Sequence, residues 1–206
     1  MNEKLKAFGI FAFSLAFGLG VGLALKQADF GQSAARDNAQ VQKQMADAAR
    51  ARPDLPAAEA MRQDALARSE QRLAAESDLA KRGRVAADTF WGFYFVNTRM
   101  RREFCSEQGV DVTAFVSAFE RAHMNELAKA RSLYARSGMD ETLLYEGLRP
   151  TARKVIEQDM HDIAAAQGLS LSQACEALAS AAEELVPEMH LSKMQPAIFK
   201  ALVAAP

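Results

Sequence analysis

Residues Arg84–Glu107 read RVAADTFWGFYFVNTRMRREFCSE, and residues 112–136 read VTAFVSAFERAHMNELAKARSLYAR. Neither stretch alternates apolar and polar residues as a half-buried strand does. In the second, Val112, Phe115, Phe119 and Leu127 share one helical face, and Val116 and Met124 widen it. The first ends just before Gly109, a residue suited to closing a helix. Further on, Val155, Ile156, Met160 and Ile163 form a second stripe, and Leu171, Cys175, Leu178, Leu185 and Val186 a third. The expected fold class is therefore all-α.

Five helices are expected from residue 83 to residue 206. They cover 84–107, 112–136 opened by Asp111, 140–167 opened by Asp140 and closed by Gly168, 171–186 between Ser170 and Pro187, and 193–204. Ser and Asp accept hydrogen bonds from the unpaired amides of a helix start. Ser192-Lys193-Met194-Gln195 has the form of a capping box for the last helix. Pro150 is expected to kink or split the third near Leu148, because it removes one rung of the hydrogen-bond ladder.

Upstream the composition changes. Residues 26–82 hold sixteen alanines, ten basic and nine acidic residues and one aromatic, Phe30. This pattern predicts a polar helical spacer broken near Pro53 and Pro56, because large apolar residues are sparse. Leu66, Leu73 and Ala80 repeat every seven residues, a thin seam for pairing two chains.

Residues 7–25, AFGIFAFSLAFGLGVGLAL, contain no charge. Nineteen residues at about 1.5 Å each span roughly 28 Å, close to the thickness of a bilayer core. The stretch reads as a signal-anchor behind a short basic head, residues 1–6, with Lys4 and Lys6. A cleaved export signal is the alternative. The expected location is a single pass in the inner membrane, with the head cytoplasmic and the bulk of the chain periplasmic. Gly18 and Gly22 stand four apart, a spacing that lets two membrane helices approach closely, so a homo-oligomer is one expected assembly.

Charge narrows the partners. The chain carries 25 basic and 26 acidic residues, a formal net charge of −1. A nucleic-acid binder would carry a clustered basic excess, so none is expected as partner. Cys105 and Cys175 are the two cysteines. In an exported chain an even count predicts a disulfide, joining the first and fourth helices of the domain.

Three motifs invite a functional reading. In Phe90-Trp91-Gly92-Phe93-Tyr94-Phe95-Val96, six large apolar side chains surround one glycine. Such a helix is either the covered centre of the bundle or a partner surface, with Phe90, Trp91, Phe93 and Tyr94 as its contacts. Arg99, Arg101 and Arg102 follow and could clamp a carboxylate or phosphate, or form a salt-bridged face. Glu120 and His123 have the Glu-x-x-His spacing that grips a metal in di-iron bundles. Its nearest mimic is Glu157 with His161, and Glu126 could complete a mononuclear site with the two histidines. No hydrolase, phosphate-loop or dinucleotide motif is present, so no catalytic residue and no cofactor are expected.

The functional expectation is a membrane-anchored periplasmic helical interaction protein. It would act as adaptor, accessory subunit or chaperone/inhibitor of another envelope or secreted protein. A metal- or small-ligand-binding bundle and a self-assembling membrane component are the alternatives.

Overall fold

The computed structural model describes residues 43, 46–48, 50–135 and 140–206. The expected head (1–6), membrane segment (7–25) and first part of the spacer lie outside the described residues. No described helix is long and apolar enough to cross a membrane. Every regular element among the described residues is helical.

The break expected near Pro53 and Pro56 is present, and α1 (Ala57–Ala75) begins after Pro56. This helix does not behave as a solvated spacer. Ala60, Met61 and Leu73 join the core cluster, Ser69 is also buried, and Ala80 is exposed. Alanine seams let α1 pack closely on α2 (Leu79–Phe95) and α6 (Glu141–Gln167) of its own chain. That contact uses part of the surface expected for pairing two chains.

α2 is the central helix. Asp78 opens it by accepting the Lys81 amide, five residues earlier than the sequence suggests. It packs against α1, α5 (Met124–Tyr134), α6 and α10 (Pro196–Ala204). At Gly83 the C-terminal end comes so close that a Cβ would overlap the Ala205 side chain. Lys129 Nζ fixes that end by donating to the Ala205 carbonyl at 2.6 Å. Beyond Phe95 the helix widens into one π turn, Val96–Met100, and tightens again into α3 (Arg101–Glu107).

The helix expected over 112–136 is broken at His123 into α4 (Thr113–Ala122) and α5. Asp111 captures the Thr113 amide at 2.8 Å. α6 runs through Pro150 without a break. Glu146 and Gly147, one turn before it, are exposed, so the carbonyl that loses its amide partner meets water. Gly168 closes α6 with a positive φ of 63°, a conformation in which glycine carries no Cβ penalty.

Ser170 and Gln173 form a full capping box at the start of α7 (Leu171–Ser180). The chain then breaks at Ala181, and Pro187 lies inside α8 (Ala182–Glu188) rather than ending a longer helix. The box expected at Ser192 does not form. His190 caps a four-residue turn, α9 (Leu191–Met194), and Pro196 opens α10 at a position where no amide is needed. The disulfide Cys105–Cys175 joins α3 to α7 with its Cα atoms 5.6 Å apart, both cysteines fully buried.

Candidate functional site

The aromatic motif lies in the interior. Phe90, Trp91 and Phe93 are 0–1% exposed and Tyr94 is 8% exposed. Trp91 stacks on Phe95 at 5.1 Å, Phe90 meets Tyr94 at 5.6 Å, and Phe93 meets Phe119 at 5.3 Å. Helices on several sides of α2 cover them, so these four residues are core and not a partner surface. Burial, with Glu120 nearby, pushes the Tyr94 hydroxyl above its ordinary value.

The four metal candidates are not brought together. Among the described residues no group of three or more His, Cys, Asp or Glu side chains could hold a metal ion. Glu120 and His161 are exposed, and Glu157 accepts from Arg153 Nε at 2.6 Å. His123 is fully buried with both ring nitrogens engaged. Its Nδ1 donates to the Phe119 carbonyl at 2.9 Å, and its Nε2 accepts the Leu191 amide at 3.1 Å. These bonds fix a neutral tautomer and tie the α4–α5 break to α9. Burial pushes the imidazole down to about 4, against the opposing effect of the Phe119 carbonyl.

His123 does have a titratable neighbour. The His190 ring stacks on it at 4.8 Å. His190 Nδ1 accepts the Ser192 amide at 3.2 Å, and its Nε2 faces Glu126 Oε1 at 3.6 Å. Glu126 is buried, and its other oxygen has no hydrogen-bond partner. His190 lies between two buried apolar residues, Met189 and Leu191, a pattern visible in the sequence but not specific.

The three arginines separate. Arg101 points inward and pairs with Asp159, Nη2 to Oδ2 at 3.3 Å, with 1% and 0% of the two side chains exposed. Its Nε also donates to Asn97 Oδ1 at 3.2 Å, and its guanidinium lies 5.8 Å from the Phe115 ring centre. Asp159 Oδ1 has no partner. Burial outweighs the pull of Arg101 and pushes the Asp159 carboxyl up to about 7. Asp159 was absent from the sequence candidates, yet its spacing marks it: three residues after Ile156 and four before Ile163, on the apolar stripe.

Arg99 is half-buried. Its guanidinium carbon lies 4.9 Å from the ring centres of both Phe95 and Tyr145. The Tyr145 ring is fixed by its hydroxyl, which donates to Glu103 at 2.5 Å. Glu103 also pairs with Arg149 at 3.1 Å, and Arg153 pairs with Glu107 and Glu157. Along this α3–α6 face Arg99 and the exposed Arg102 form no ion pair among the described residues. π turns recur at functional positions, and here the turn sets which arginine enters the core.

Compared with known proteins, the chain matches no family model, no curated protein sequence and no solved structure.

Proposed function

We propose that the chain is a membrane-anchored, extracytoplasmic helical interaction protein, an adaptor, accessory subunit or chaperone/inhibitor of another envelope or secreted protein. The observation that carries this reading is the buried Cys105–Cys175 disulfide. Structural disulfides persist in oxidising compartments and are rare in the cytosol. The charge-free stretch 7–25 supports the same address and supplies a tether. The tightly packed bundle offers a rigid platform whose polar faces, rather than its aromatic centre, meet a partner.

The test is chemical crosslinking in the cells of origin, purification of the full chain in mild detergent, and identification of what co-purifies. The reading expects a stoichiometric extracytoplasmic protein. A chain recovered without any partner, or crosslinked only to cytosolic proteins, refutes it.

A further inference from the structure

We propose that the stacked imidazoles of His123 and His190 form an acid-sensitive latch, which holds the C-terminal segment α9–α10 on the bundle and releases it when protons are taken up.

The latch is built on two successive amides. Leu191 N–H donates to His123 Nε2 at 3.1 Å, and Ser192 N–H donates to His190 Nδ1 at 3.2 Å. Both bonds need a bare ring nitrogen, which a protonated imidazole no longer offers. A proton at either position sets two N–H groups against each other at the first turn of α9. The rings lie nearly parallel, 14° apart in plane with their centres at 4.8 Å, so charge on one opposes charge on the other.

The surroundings decide which proton opens the latch. From α5, Glu126 faces His190 Nε2 at 3.6 Å, and the Ser192 hydroxyl lies 2.8 Å from its Nδ1. A charged His190 therefore keeps an anion and an acceptor. His123 is instead enclosed by rings, Phe90 and Phe93 from α2 and Phe119 from α4, while Phe199 of α10 meets His190. Other charged groups on these elements are engaged elsewhere: Arg121 with Glu183, Lys193 with Glu188, and Lys129 with the Ala205 carbonyl. Glu120 and Lys200 are exposed. Burial holds the His123 imidazole down to about 4, so its proton is taken up on opening.

The segment is suited to local release. α9 is a single turn, and Gln195 behind it is fully buried with neither polar side-chain atom bonded. Units with few polar ties open before the whole domain does. α10 packs on α2, so its release uncovers apolar surface of the central helix.

Amide hydrogen exchange of the full chain in detergent micelles tests the latch, read residue by residue by NMR and corrected for intrinsic rates. A histidine lowered from 6.5 to about 4 makes opening more favourable by roughly twentyfold between pH 7 and pH 5. The expected result is a fall of that size in the protection of Leu191 and Ser192, with Ile156 in α6 as well protected as before or better. His123→Gln keeps a side-chain acceptor that does not titrate, so the fall should vanish. His190→Asn keeps a helix cap and should retain most of it. Equal protection of Leu191 and Ser192 at both pH values overturns the proposal, as does an equal loss at Ile156 or a full fall in His123→Gln. A fall that vanishes in His190→Asn overturns the role given to His123. The comparison of Leu191 and Ser192 with Ile156 in the parent decides the matter even where His123→Gln does not fold.

Discussion

Arg101 and Asp159 face each other across the core, Nη2 to Oδ2 at 3.3 Å, one from the start of α3 and the other from the middle of α6. A single hydrogen bond links the carboxylate to the guanidinium, and its second oxygen has none. Removing two charges from water costs several kcal/mol each, so a pair this sparsely bonded contributes little net stability but punishes the loss of one member. Arg101→Met removes the cation that holds the Asp159 carboxyl down and is expected to destabilise the domain by about 3–5 kcal/mol, leaving a buried carboxyl without its partner that takes up a proton more readily than in the parent. Arg101→Met with Asp159→Leu should recover most of that loss. Urea denaturation of the three proteins checks both statements.

The pH dependence follows from three groups. Asp159 is raised from 3.8 to about 7, and the half-buried Asp88 from 3.8 to about 6, both chiefly by desolvation. A raised folded value means that the native state holds the proton more tightly, so each group adds stability as pH falls from its folded value toward 3.8. His123 is lowered from 6.5 to about 4 and acts the other way, removing stability as pH falls through that window. The melting temperature should therefore be higher at pH 5 than at pH 7.5. Asp159→Asn should abolish that gain, because His123 is then opposed by Asp88 alone.

His123 also gives a direct spectroscopic expectation. Its ring should remain neutral at pH 5.5, with the proton on Nδ1, as seen in the ring nitrogen shifts. Titration near the ordinary histidine value would mean that the ring is not held between Phe119 and Leu191.

Two glycines in helices should respond with opposite signs. Gly83→Ala places a methyl against Ala205, and overpacking of this kind typically costs about 1–3 kcal/mol. Ala205→Gly in the same chain should relieve it. Gly147 lies in α6 with open space around the missing Cβ, so Gly147→Ala should stabilise by about 0.5–1 kcal/mol. Thermal melts of the three variants decide the matter.

The disulfide closes a separation of 70 residues. Loss of that constraint raises the entropy of the unfolded chain, about 4 kcal/mol by the loop-closure relation. Cys105→Ala with Cys175→Ala, compared with the oxidised parent in guanidinium, should show a lower midpoint and reversible unfolding to the same helical content.

The features readable in the sequence depend on local chemistry. Ser170, Asp140 and Gly168 mark helix ends because the groups they satisfy lie within a few residues. The cysteine pairing was readable because two cysteines leave one intramolecular choice. The break at His123 was not readable: it depends on an amide 68 residues away, on Leu191. The Phe90–Tyr94 stretch was ambiguous for a related reason. An all-round apolar helix states that it needs cover but not whether its own chain supplies it, and here α1, α5, α6 and α10 do. Arg99, Arg101 and Arg102 look alike in sequence. Their separation into a stacked, a buried and an exposed residue follows from the π turn, which changes the helix phase between Phe95 and Arg101.

The most direct test of an exported, disulfide-stapled partner-binding protein is thiol trapping in living cells. Cells are quenched in acid, and free thiols are blocked with a maleimide before and after reduction. The account predicts that Cys105 and Cys175 resist labelling until a reductant is added. Labelling of both without reductant would place the domain in a reducing compartment and contradict the extracytoplasmic function proposed here.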